Sequence, residues 1–330
     1  MFQIKKIRKI IAFLLLGGVL FAALCILFPK QGTAEEQESV YKGILRVWQI
    51  DGIEGGQGSR ASFLARVASS FEGENEGLFV LVSAHTAASA KDAIDRGELP
   101  DVLSFSGSCA FAADFAQPLK GFSWKGTERG GDVLAYPWCR GNYFLFSTEN
   151  EGAAADAFNT VLSVARGTNV YAAAYYAGLR GECQAIDSSR AYLALLDGKC
   201  RYLLGTQRDF FRLRSRGFAF RAQPLQEYSD LWQYACVSSK GEMAQASLAF
   251  VRYLLSEKVQ SKLGQIGMLG VNGKAYGETE PVLNEAEKGL PARVPYAWLS
   301  EKAFSEFCDA SLAALAGEEG GAKKLQNYLV

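Results

Sequence analysis

From Ile10 to Phe28 the chain runs 19 residues without a charge, between Lys5-Lys6-Ile7-Arg8-Lys9 and Pro29-Lys30. A run of that length predicts a helix able to span a bilayer core of about 30 Å at about 1.5 Å per residue. Its basic flank keeps the N-terminus in the cytoplasm and sends the rest of the chain across the membrane. Residues 1–34 are thus a signal peptide, cleaved after Ala34 in Gly32-Thr33-Ala34, or a retained anchor. Cys25 follows Leu24, whereas a lipid-modified cysteine normally follows a small residue, so it is read as part of the membrane segment. Glu35, Glu36 and Glu38 make residues 35–42 a solvated linker.

Beyond the linker the periodicity changes. Ile44 to Ile50 predicts a strand, residues 51–58 a loop, and Ser59 the cap of a helix whose apolar positions Phe63, Leu64, Val67 and Phe71 share one face. Leu78 to Val82 predicts a strand covered on both faces, followed by a helix over 87–95 and a strand ending at Leu103. This βαβαβ alternation implies a parallel sheet. The aromatic stretch 136–146 leads to an Ala-rich segment, for which a helix from about Ala153 to Arg166 is predicted. A second α/β unit follows. Ser188 and Ser189 cap a helix through Leu196, Arg201 to Leu204 forms a strand, and Thr206-Gln207-Arg208-Asp209 has capping-box spacing. Leu231 to Val237 predicts a further strand; 243–255, 256–266, 304–315 and 323–329 predict helices.

Composition narrows the chemistry. With 330 residues the chain has room for two domains. Lys plus Arg and Asp plus Glu are 35 each, a net charge of zero that lacks the basic excess nucleic acid binding needs. The single histidine, His85, excludes multi-histidine zinc sites, and at a strand end it reads as exposed or merely hydrogen-bonded. Six cysteines follow the leader, at 109, 139, 183, 200, 236 and 308, without a C-x-x-C pair, and buried free thiols suit them as well as disulfides.

Gly55-Gly56-Gln57-Gly58-Ser59-Arg60-Ala61 has glycines at a helix start, but it begins five residues after the strand and contains no lysine. It reads as a cleft-facing turn rather than a nucleotide loop. Asp51, Glu54, Asp101 and Asp209 show no spacing that sets two carboxylates against one substrate. Arg140, Arg208, Arg212, Arg214 and Arg216 form a basic stretch that could meet an acidic ligand, but four of them lie along one predicted helix beside acidic neighbours, where a solvated face is the default reading. Trp48, Tyr136, Trp138, Tyr143, Tyr228, Trp232 and Tyr234 lie near strand ends, from which two or three rings are expected to stack on a sugar.

Taken in order, Leu45-Arg46-Val47-Trp48-Gln49-Ile50, Ser69-Ser70-Phe71-Glu72, Gly97-Glu98-Leu99-Pro100-Asp101-Val102-Leu103, Tyr136-Pro137-Trp138, Leu203-Leu204-Gly205-Thr206 and 250–260 give a pattern that resembles the extracellular solute-binding proteins of ABC importers, sugar-type family. The resemblance implies an α/β, two-lobed, periplasmic-binding-protein-like type II fold with an interlobe cleft. It also implies a monomer without cofactor or metal that hands an unaltered solute, a carbohydrate by analogy, to ABC permease subunits outside the cytoplasm. Lobe one then takes residues 40–136 and 236–272, and lobe two 137–235 and 273–330, with crossovers near Tyr136-Pro137 and Ala235-Cys236. In open parallel sheets ligands bind beyond the carboxyl ends of strands. That places Trp48, Asp51, Ser59, Arg60, Ser106 and Thr206 at the site, with Trp138, Tyr143 and Trp232 as stacking rings. Two rivals stay open: a hydrolase using carboxylates such as Asp51 and Asp101, and a membrane-anchored sensor of the same fold.

Overall fold

The computed structural model describes residues 41–107, 109–148, 154–238, 242–272 and 275–330. The membrane-targeting run, Cys25 and the cleavage position at Ala34 lie outside them. Among the described residues no helix is long and apolar enough to cross a membrane.

The first sheet is built from β1 (Gly43–Ile50), β2 (Leu78–His85), β3 (Val102–Phe105), β4 (Tyr136–Arg140) and β10 (Trp232–Val237), in the order β2-β1-β3-β10-β4. β1 pairs in parallel with β2 and β3, and β10 is antiparallel to its two neighbours. The expected helix is α1 (Arg60–Glu72), whose Phe63, Leu64, Val67 and Phe71 pack with α6 (Glu242–Leu254) and with Val259 of α7 (Glu257–Gln260) over one face. α2 (Ala87–Asp95) begins at a Thr86 capping box and contributes Ala90 and Ala93 to the opposite face. β2 is an edge strand rather than one covered on both sides. Phe79 is 67% and Leu81 60% exposed, and neither joins the core to which Ala90 and Ala93 of α2 belong.

The second sheet comprises β5 (Tyr143–Thr148), β6 (Thr160–Val164), β7 (Gln184–Asp187), β8 (Tyr202–Thr206) and β9 (Phe220–Pro224), in the order β9-β5-β8-β6-β7. α3 (Val170–Tyr176), α4 (Ser188–Leu196) and α5 (Gln207–Ser215) follow β6, β7 and β8. The helix expected over 153–166 is absent from its described part. Asp156 accepts hydrogen bonds from the amides of Phe158 and Asn159, closing a turn, and Thr160–Val164 then pairs in parallel with β8 and β7. The β-branched residues of Thr-Val-Leu-Ser-Val suit a strand, and pairing on both sides overrides the helix preference of the preceding alanines.

The chain leaves the first sheet at Gly141 and returns after Leu231, four residues beyond and four before the expected crossovers, because Tyr136–Arg140 and Trp232–Val237 pair with each other inside that sheet. Asp230, at the return, is buried and accepts hydrogen bonds from Tyr143 Oη at 2.8 Å and from the Asn169 amide, joining the crossover to the starts of β5 and α3. Arg140 ends the outgoing strand. Its buried guanidinium donates to the carbonyls of Ala286, Glu287 and Gly289, where α8 (Pro281–Lys288) ends and the helix dipole favours a cation. α9 (Glu301–Ala316) and α10 (Gly321–Gln326) pack on the second sheet's core through Phe307, Ala314, Leu315 and Leu325.

Two stability predictions follow from the buried polar groups. Thr206 is the N-cap of α5, and its amide donates to Asp209 Oδ2 at 3.1 Å in a completed capping box; Thr206→Ala lowers stability by about 1 kcal/mol in urea titration. Burial raises the Asp230 carboxyl to about 6. The folded protein therefore keeps a proton that the unfolded chain begins to release near pH 4, and this group's contribution to stability falls as pH rises from about 4 to about 6. Unfolding curves of the native chain minus those of Asp230→Asn show that slope; a difference independent of pH contradicts it.

Candidate functional site

β1 ends in a polar ladder. Ser104 Oγ accepts from Trp138 Nε1 at 2.8 Å and from Gln233 Nε2 at 3.0 Å, and Gln233 Nε2 also donates to the Ile50 carbonyl. Gln49 Nε2 donates to the same carbonyl and to Asp51 Oδ1 at 3.0 Å. Asp51 in turn receives Arg60 Nε at 2.9 Å, while Arg60 Nη2 donates to the Ile53 carbonyl at 2.7 Å. Arg60 is 5% exposed, so these bonds replace most of its water and fix the shape of the loop between β1 and α1.

That loop faces the carboxyl ends of the second sheet. The Glu54 amide donates to the Arg166 carbonyl at 3.0 Å, and Glu54 Oε2 receives Arg208 Nη1 at 2.9 Å and Ser188 Oγ at 3.2 Å. Gly167 has φ +70°, and a side chain there would run into the backbone of Gly52 and Ile53, so only glycine permits the two walls to meet. Gln207, first residue of α5, packs under Gly55 and Gly141, and its Oε1 accepts the Asn142 amide at 3.0 Å.

Between the walls lies an open cavity of about 580 Å³. One side is Asp51, Ile53 to Gly58 and Arg60; the other is Arg166, Arg208, Phe211, Arg212 and Ser215. Arg208 and Arg212 stand one helical turn apart on α5, so the basic helix face whose default reading is solvation supplies a wall of the cavity. Arg214 instead pairs with Glu280.

The expected site residues separate sharply. Asp51 and Arg60 line the cavity. Ser59 caps α1, accepting the Ser62 amide, and Thr206 caps α5; each shapes a wall without lining the cavity. Ser106 is buried beneath Gly52. The expected stacking rings are core residues. Trp138 is 0% exposed and stacked on Phe63, Trp232 packs against Trp124, and Tyr143 stacks on Tyr228. Trp48 lies against His85 at 4.4 Å. The physical reason is shared: at β1, β4, β5 and β10 both faces of the sheet are covered where these rings stand, so alternation along the strands delivers every one of them to a core. Sequence reasoning missed Glu54, Arg166 and Phe211 as lining residues, and Gln49, Gln233 and Ser104 behind them. The visible signals were the run of arginines on α5, the glycine-rich turn over 55–58 and Glu54, weighed only as a carboxylate for hydrolysis.

Asp101 precedes β3, where its carboxylate accepts the Arg46 amide, whereas Asp51 follows the parallel β1; the two carboxylates sit at opposite ends of the sheet. Asp51 and Glu54, which do share the cavity, are each paired with an arginine. His85 is hydrogen-bonded to Ser83 Oγ, and burial lowers its pKa. The six cysteines at 109, 139, 183, 200, 236 and 308 are unpaired; burial pushes the Cys109 and Cys236 thiols up to about 12, which makes them poor nucleophiles. No group of three or more metal-ligating side chains occurs among the described residues.

No family model matches the chain, and no curated protein does. Solved structures match with low identity and high coverage. A cyclic α-maltosyl-1,6-maltose binding protein from Arthrobacter globiformis is 12% identical, with TM-score 0.61 over 87% of this chain and 97% of its own. The sugar-binding protein MalE from Xanthomonas citri is 13% identical, with TM-score 0.60 over 86% and 95%. An ABC substrate-binding protein from Listeria monocytogenes, solved with cycloalternan, is 14% identical, with TM-score 0.55 over 87% and 97%. The chain has the α/β, two-sheet fold of the type II periplasmic binding proteins.

The meeting of Gly167 with Gly52 yields a prediction. Gly167→Ala wedges the walls apart, so small-angle scattering of the variant shows a larger radius of gyration than the native chain, while far-UV circular dichroism stays unchanged. An identical scattering profile contradicts the contact.

Proposed function

We propose that the chain is the extracytoplasmic solute-binding component of an ABC importer, which takes a sugar or related polar solute into the cavity and passes it unchanged to permease subunits in the membrane. One observation carries this reading: the cavity lies where the carboxyl ends of two separate sheets face each other, and both walls contribute polar side chains. A solute seated there touches both halves, so it binds the closed arrangement more tightly and shifts the population toward it. On this reading one lobe is the first sheet with its helices, the other is the second sheet with α8 to α10, and the hinge includes Gly141-Asn142 and the segment before β10. The leading apolar run supports export. The similar structures, described as binding a cyclic maltosyl saccharide, a sugar and cycloalternan, support a carbohydrate.

The test is calorimetry and thermal unfolding of the full chain in detergent micelles against a panel of mono- and oligosaccharides. A bound saccharide at one hundred times its Kd stabilises the fold by about 2.7 kcal/mol. Arg208→Gln, which removes a cavity wall residue and its bond to Glu54, weakens that binding at least tenfold. A panel in which no saccharide binds, while another class of solute does, overturns the carbohydrate assignment. Turnover of a glycoside overturns the transport reading itself.

A further inference from the structure

The cavity has an unusual lining for a neutral sugar. Rings of tryptophan and tyrosine ordinarily pack against the apolar face of a pyranose, and free carboxylates accept its hydroxyls. Here Phe211 is the one aromatic side chain in the lining, and the carboxylates of Asp51 and Glu54 are already taken by Arg60 and Arg208. Four guanidiniums line the same space: Arg60 from the first wall, and Arg166, Arg208 and Arg212 from the second. Arg212 pairs with Asp209, which is buried behind it. Arg166 is exposed, and no carboxylate among the described residues pairs with it. Even with Asp209 counted, four positive groups face three negative ones.

The placement of two of these arginines points the same way. Arg60 is the first residue of α1 and Arg208 the second of α5, and a cation in the first turn opposes the helix dipole. Neither is sited to stabilise its own helix. Arg208 brings a planar, bidentate donor to a space that two helix N-termini already make attractive to negative charge, whereas Arg60 spends its donors on Asp51, Ile53 and Met268 and adds its charge.

We propose that the solute is anionic: a saccharide bearing a carboxylate or a phosphate, whose acidic group is taken by Arg166 together with the α5 guanidiniums. This deepens the solute-capture reading and rests on it.

The experiment compares matched probes on the full chain in detergent by calorimetry: trigalacturonate against its methyl ester, and glucose 1-phosphate against methyl α-glucoside, with inorganic phosphate as a third arm. The expected result is a Kd at least tenfold lower for an acidic member than for its neutral partner, a difference that shrinks with added salt. Arg166→Gln, at an exposed position without an ion pair among the described residues, leaves the melting temperature unchanged and removes most of that preference, whereas Arg166→Lys retains part of it. Neutral members that bind as tightly as acidic ones, or an acidic preference untouched by Arg166→Gln, overturn the inference while solute capture stands. Inorganic phosphate binding as tightly as the sugar phosphate overturns the saccharide part. Binding of none of the five probes overturns the inference, and failure of the wider saccharide panel as well removes the reading beneath it.

Discussion

A guanidinium buried in the first turn of a helix has the helix dipole against it and little water to offset its charge, so it must be satisfied by groups nearby. Arg60 is in that position, and the Asp51 carboxylate and Ile53 carbonyl satisfy it. The consequence is geometric. With Asp51 and Ile53 pinned to the start of α1, the loop after β1 has one shape, and that shape presents Glu54 and three glycines to the opposite wall. The polar ladder from Trp138 through Ser104, Gln233 and Gln49 holds Asp51 from behind, so the loop is anchored in the core of the first sheet rather than only at its own ends. A half-satisfied network of this kind would be worse than an apolar core, which makes its members interdependent.

The second wall meets the first through small contacts with tight tolerances. Gly167 against Gly52, the Glu54 amide on the Arg166 carbonyl, and Glu54 between Arg208 and Ser188 bring two otherwise separate cores together at one edge of the cavity. Apart from Ile53, which is buried among the core residues of the second sheet, these contacts are polar. An interface of this kind opens more readily than either core unfolds, which suits the proposed capture and release of a solute. Permanence resides instead in the crossover, where Asp230 ties Tyr143 to Asn169 and Arg140 closes the end of α8.

The alternation of strands and helices and the caps at Ser59 and Thr206 were legible in the sequence, because each depends on local spacing. Other features depend on what lies beside a strand. Leu78–Val82 reads as doubly covered, yet β2 is an edge, and nothing within the segment says which neighbour is missing. Thr160–Val164 is a strand because β7 and β8 flank it. Trp138, Tyr143 and Trp232 attract attention as rings near strand ends, but their fate is settled by sheets covered on both faces. Arg208 and Arg212 are the reverse case: a face that reads as solvated lines the cavity because a loop roughly 150 residues earlier folds against it.

The central claim is that one solute is held by both walls at once. Amide hydrogen exchange of the full chain, with and without a saturating saccharide, tests it most directly. The account predicts slowed exchange in residues 51–58 and in residues 166–167 and 207–215 together, with little change in β2 at the far edge. Protection confined to one wall, or to segments away from the cavity, would contradict it.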